Sequence, residues 1–218
     1  MTASIVFDLD GTLIDSAPDI AAAVNAMLAD EGYESLEQAT VTSFVGHGIL
    51  HLTGLVIRHV GLNMDRHTEL TAATLAHYNQ SSSALTAVYP GVIDALDTFQ
   101  ARGLKMGICT NKPEASARHE LKMFNLERYF DVVIGGDSLS KRKPDPAPLQ
   151  TAFDSLGPRQ HIFVGDSEVD AETAQRAGVP FLLFTSGYRK TPVAELPHTA
   201  TFDDSAGLIA AVDQLLGS

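Results

Sequence analysis

Near its start the chain carries "SIVFDLDGTLIDS", residues 4–16, in which Asp8 and Asp10 stand two apart where an apolar run gives way to Gly11. Side chains two apart on extended backbone point to the same side, so the two carboxylates converge if the strand persists. Like charges brought together ask for a cation, a shared proton or abundant water. Two readings follow: a metal or acid–base site, or a solvated turn, since Asp10-Gly11 is also ordinary turn chemistry. Further polar groups stand later in the chain: Thr110 and Asn111 in "CTNK", Lys143 in "SKRKPDPAP", and Asp166, Ser167 and Asp170 in "GDSEVD". Each has a plain reading of its own, as a helix cap, a loop cation and a capped turn.

What must position these residues is a set of strands separated by single helices. Residues 4–7, 104–110, 131–134, 161–165 and 180–185 read as short buried strands. Between them, helical spacing is expected from Pro90-Gly91 to Gly103, over 113–124, over 145–156 and up to Gly178, with a last helix over 205–216. Such alternation demands right-handed parallel crossovers, hence a doubly wound, Rossmann-like α/β sheet with helices on both faces. Residues 15–85 break the pattern. Ser16, three residues ahead of Asp19, opens a helix marked by Ile20, Val24, Met27 and Leu28, and apolar positions at Leu50, Leu55, Val56, Val60, Leu70 and Leu75 continue the helical character to about residue 84. The expected division is therefore a core of residues 1–14 and 86–218 with a small helical domain, 15–85, inserted after the first strand. In doubly wound sheets ligands bind beyond the carboxyl ends of the strands. Asp8 and Asp10, Thr110 and Asn111, and Asp166 and Asp170 follow three such ends, and the prolines after Lys143 hold it near the same edge. Independent turns have no reason to gather four carboxylates, a hydroxyl and a lysine there.

Composition limits the partners. The 218 residues carry a net charge of −12, which argues against a nucleic-acid backbone or an anionic membrane and leaves a small anionic molecule served by local cations. A single cysteine, Cys109, excludes an intramolecular disulfide and fits a reducing compartment as a core thiol. No leader and no apolar run long enough to span a bilayer is evident, so the expectation is a cytoplasmic protein, monomer or homodimer.

Taken in order, "DLDGT", "CTNK", "KPDP" and "GDSEVD" resemble the four motifs of the haloacid dehalogenase-like superfamily, and "VYPGV" and "VGDSEVDAETAQRAG" are most similar to its phosphoglycolate phosphatase branch. The resemblance spans essentially the whole chain and makes the helical insertion a cap domain. It implies a Mg²⁺-dependent phosphomonoester hydrolase, acting on a small phosphorylated metabolite, with Asp8 as nucleophile forming an aspartyl-phosphate. Asp10 would then be the acid that protonates the leaving alcohol and the base that activates water. Mg²⁺ suits oxygen-only ligands. Its expected ligands are Asp8, Asp166, the backbone carbonyl of Asp10, and Asp170 either directly or through water. Thr110 and Lys143, with backbone N–H groups around Leu9 and Asn111, would grip the phosphoryl oxygens.

Within the cap, "FVGHGI" is the expected substrate-facing loop, with Gly46 allowing close approach and His47 a polar tip; a plain helix connection fits the same residues. His47 and His51 are four apart, but without an accompanying acid motif a metal site there is the weaker reading. The ends 14–17 and 83–89 would serve as hinges, and Arg58 and His59 as partners for an anionic leaving group. The acid Asp10 argues against a dehalogenase, since a halide leaves without a proton. A β-phosphoglucomutase-like mutase or sugar phosphatase remains open. A phosphoacceptor switch fits less well, because its acceptor follows a central strand, and an inert anion sensor needs neither paired acids nor a metal.

Overall fold

The computed structural model describes residues 3–81, 84–157 and 160–217. They form two compact units, one of Met1–Ile14 and Val88–Ser218, the other of Asp15–Ala87. Ser83, expected at the start of the second crossing, lies outside the described residues.

The first unit is built on a six-stranded sheet. Its strands are β1 (Ala3–Phe7), β4 (Lys105–Cys109), β5 (Val132–Ile134), β6 (Gln160–Gly165), β7 (Phe181–Phe184) and β8 (Ala200–Phe202), with β2 (Ile14–Asp15) and β3 (Ala87–Val88) forming a separate two-stranded sheet. The order is β5-β4-β1-β6-β7-β8, and every pairing is parallel. Counted in chain order within this sheet, that is the 3-2-1-4-5-6 arrangement, whose direction reverses beside β1 and opens a crevice at the carboxyl ends of β1 and β6.

Alternation along the strands builds two cores. Ile5 and Phe7 of β1, Ile162 and Val164 of β6 and Leu182 and Phe184 of β7 join one cluster with helices α5 (Val92–Ala101), α6 (Glu114–Met123) and α9 (Ser205–Leu216). Val6, Phe163, Phe181 and Leu183 point the other way, into a cluster with α7 (Ala147–Leu156) and α8 (Glu168–Ala177). A strand buried on both faces reads as a continuous apolar run, which is why these segments stand out in the sequence. The edge strand β8 does not. It is three residues long, pairs only with β7 and buries only Phe202, so no periodicity announced it. Helix α7 begins at Ala147, two residues later than its sequence signal.

The second unit contains α1 (Ala17–Asp30), α2 (Gln38–Thr42), α3 (Ile49–Val60) and α4 (His67–Gln80) around a core of Val24, Met27, Leu28, Val41, Leu52, Val56, Ile57 and Leu70. Two local expectations change here. Leu52, Val56 and Ile57 form the buried stripe of α3, whereas Leu50 is exposed. At about 100° per residue, Leu50 lies roughly 200° around the helix from Leu52. Ser16 makes no side-chain cap on α1, and Asp19 does not answer it. The buried Asp19 instead accepts hydrogen bonds from the Leu85 N–H (3.0 Å) and the Thr86 hydroxyl (2.6 Å), tying α1 to the returning chain. Gly46 and His47 lie in the connection between α2 and α3, where the His47 ring stands 4.9 Å from that of His51. Among the described residues no helix is long and apolar enough to cross a membrane.

Candidate active site

The crevice beside β1 holds a buried acidic group. One oxygen from each of Asp8, Asp166 and Asp170 falls within 4.8 Å of the others. Asp8 follows β1, its N–H donating to the Val164 carbonyl at 2.9 Å and thereby extending the register with β6 by one residue. Asp166 follows β6, and Asp170 sits in the first turn of α8.

Asp170 has two tasks. Ser167 and Asp170 form a reciprocal capping box at the start of α8, so "GDSEVD" is a capped turn whose second acid also stands beside Asp8 and Asp166. Asp170 Oδ2 accepts from the Ser167 hydroxyl (2.6 Å) and from the Ser167 and Asp166 N–H groups (3.1 and 3.3 Å), while Oδ1 accepts from Lys143 Nζ at 2.7 Å. Lys143 is 2% exposed. Its ammonium bridges Asp170 and Asp8 Oδ1 (2.9 Å) and stands 5.5 Å from the centre of the Phe163 ring. The Lys143 carbonyl accepts from Asn111 Nδ2 at 2.9 Å, so Asn111 locates the lysine's backbone. Thr110, also buried, donates its N–H to the Ile134 carbonyl, and its hydroxyl oxygen accepts from the Lys112 N–H.

Asp166 is held by groups the sequence did not single out. Its two oxygens accept from the Thr12 hydroxyl (2.8 Å) and the Tyr188 N–H (2.6 Å). Two glycines make room for it. A Cβ on Gly11 would meet Asp166 Oδ2 at 2.6 Å, and Gly11 also has φ +85°, a conformation that glycine adopts without strain. A Cβ on Gly187 would lie 2.3 Å from Asp166 Cβ. The loop following β7 thus supplies part of the cradle; "DGT" was legible as a motif, whereas Gly187 and Tyr188 carried no local signal.

Asp10 departs from the convergence suggested by the extended-chain argument. β1 ends at Phe7, and the Asp10 carboxylate leaves the acid group for Lys112, whose Nζ is 2.8 Å from Asp10 Oδ1. Each of the two spaced acids therefore has its own lysine. Lys112 is also paired with Glu120 of α6 at 2.7 Å.

Burial dominates the electrostatics. It pushes the Asp8 carboxyl up to about 7, opposed by Lys143 and reinforced by Asp170 and Asp10. Asp166 is raised well above the carboxylate range, again chiefly by burial and then by Asp170 and Asp8, against the Tyr188 N–H and the Thr12 hydroxyl. Burial would lower Lys143, but Asp170 and Asp8 together outweigh it and hold the ammonium charged. The Cys109 thiol, pushed up to about 12 mainly by burial, is a core group as expected. Three carboxylates against one ammonium leave this cluster with two formal negative charges in excess, and all three acids offer oxygen. That donor set fits a hard divalent cation.

A doubly wound sheet with acids and a buried lysine gathered at its switch point is the arrangement of an α/β enzyme whose pocket opens at the carboxyl ends of the strands. The family model described as haloacid dehalogenase-like hydrolase matches residues 5–184, and the chain belongs to that family. Phosphoglycolate phosphatase of Cereibacter sphaeroides (strain ATCC 17029 / ATH 2.4.9) is 49% identical over 200 residues, covering 91% of this chain and 92% of that protein. That of Rhodospirillum rubrum is 42% identical over 216 residues, 95% and 90% of the two chains. A crystal structure described as a predicted phosphoglycolate phosphatase from Haemophilus somnus 129pt superimposes with a TM-score of 0.89 at 29% identity, covering 97% of this chain and 98% of the other.

Proposed function

We propose that this chain is a Mg²⁺-dependent phosphomonoester hydrolase that works through an aspartyl-phosphate on Asp8 and acts on phosphoglycolate. The observation that carries the reading is the buried cluster of Asp8, Asp166, Asp170 and Lys143 at the switch point of the sheet. The name shared by its similar relatives supports the substrate.

Asp8 is the nucleophile. One of its oxygens bonds to phosphorus as the bond to the leaving oxygen breaks, and the Asp10 carboxyl gives that oxygen a proton. Water then attacks phosphorus, Asp10 takes its proton, and the bond to Asp8 breaks, releasing phosphate. Lys143 carries its charge to the Asp8 carboxylate and, with the Thr110 hydroxyl and the N–H groups around Leu9 and Asn111, faces the charge that builds on the phosphoryl oxygens. Asp8, Asp166 and the Asp10 carbonyl would hold Mg²⁺. Asp170, whose oxygens are engaged by Lys143, Ser167 and the Asp166 N–H, would join them directly or through water. When bound, the ion neutralises the acids and the phosphoryl group so that one anion can approach the other. In this reading the unit Asp15–Ala87 is a cap, and Gly46 and His47 belong to its substrate-selecting loop.

The test is phosphate release from phosphoglycolate, sugar phosphates and nucleotides, with and without Mg²⁺. Mg²⁺-dependent turnover strongest on phosphoglycolate is expected. A sugar phosphate preferred over it would overturn the substrate, and no turnover of any ester by folded protein would overturn the reaction.

A further inference from the structure

The least explained charged group in the core unit is Lys112. It follows β4 with Asn111 and is 8% exposed, and its ammonium lies between Asp10 Oδ1 (2.8 Å) and Glu120 Oε2 (2.7 Å). Glu120 is 1% exposed and projects from α6, an element that carries none of the three clustered acids. The lysine's own backbone is fixed by its N–H to the Thr110 hydroxyl.

A buried ion pair is poor insurance of stability, because desolvation offsets much of the attraction. Three charged groups in a row, from a helix to a loop to Asp10, therefore need another reason. The chain has a direction: α6 fixes Glu120, Glu120 holds the flexible lysine stem, and the ammonium fixes one oxygen of Asp10. This also explains how Asp10 stands apart from Asp8 although only one residue separates them.

We propose that Lys112, held by Glu120, is a positioning residue for Asp10, aiming its carboxyl at the leaving-group oxygen and then at the attacking water. The assignment rests on the phosphatase reading and deepens it. Proton transfer by a placed carboxyl contributes about 10²–10⁴-fold, and a displacement of about 1 Å costs on the order of 10²-fold. Formation of the aspartyl-phosphate needs that proton when an alkoxide leaves and not when p-nitrophenolate leaves. Its hydrolysis needs Asp10 as base in either case.

The experiment compares phosphoglycolate with p-nitrophenyl phosphate in the wild-type protein, K112M, E120Q and the double variant K112M/E120Q, which removes both buried charges together and so guards against misfolding. With the double variant, kcat/KM for the alkyl ester is expected to fall about 30- to 100-fold and that for the aryl ester less than about 3-fold, while kcat falls for both toward one common value. E120Q alone should show the same pattern at smaller amplitude. Equal loss of kcat/KM on the two esters, or wild-type behaviour of the folded double variant, would overturn the assignment and leave the phosphatase reading standing. A wild-type protein inactive on both esters would overturn that reading, and this assignment with it.

Discussion

Binding of Mg²⁺ should release protons and weaken as the solution becomes acid. The Asp8 carboxyl, pushed up to about 7 by burial, must be ionised to take a cation, so the ion competes with a proton for it. At pH 7 about half of the Asp8 carboxyls are ionised, and at pH 5 about 1%, so the apparent affinity should be roughly 50-fold weaker at pH 5. Asp166, raised in the same direction, makes this a lower bound. Folding carries the opposite sign in the absence of metal. Both carboxyls bind protons more tightly folded than unfolded, so their contribution is fully present below about pH 4, where the unfolded chain is still protonated. The Asp8 share is lost as pH rises through about 7, and the Asp166 share, raised in the same direction, is likewise lost toward alkaline pH. Added Mg²⁺ takes the proton's place, so its effect on Tm should be larger at pH 8 than at pH 5.5. Calorimetric titration in buffers of different ionisation enthalpy counts the protons released. Equal affinity at pH 5.5 and 7.5 with no proton release would refute the argument that burial keeps these acids protonated until a cation enters.

Asp8→Asn should abolish turnover while far-UV circular dichroism stays unchanged; substantial turnover in the purified variant would remove Asp8 as the nucleophile. Lys143→Met strips the ammonium from Asp8 and Asp170 and should cost about 3–5 kcal/mol in urea unfolding at pH 7, with a smaller cost at pH 5, where Asp8 is protonated. Gly187→Ala places a methyl group where Asp166 stands, and should weaken Mg²⁺ binding measured by calorimetry while Gly32→Ala, which meets no atom within 4 Å, leaves it alone. In the helical unit, Asp19→Ala leaves the Leu85 N–H and the Thr86 hydroxyl without this acceptor and should cost about 1–3 kcal/mol by urea unfolding.

The sequence by itself determined the doubly wound core, because strands buried on both faces must be apolar throughout and the helices between them must carry a stripe of 3.6-residue period. It also marked Asp8, Thr110, Lys143, Asp166 and Asp170, since the ends of parallel strands are where such a sheet exposes polar groups, and the structure gathers these residues at one edge. Tertiary structure decided what no local pattern encodes. The spacing of Asp8 and Asp10 suggested one shared point, yet β1 stops at Phe7 and the two acids turn to different lysines, 31 positions apart in the chain. Glu120 looks like any helix glutamate until α6 packs it under Lys112. Gly187 and Tyr188 look like loop until the chain returns past β7 and closes on Asp166. Spacing along the chain fixes which way neighbouring side chains point, but which distant cation reaches a carboxylate depends on how the layers pack, and that is settled only when the whole sheet has closed around its core.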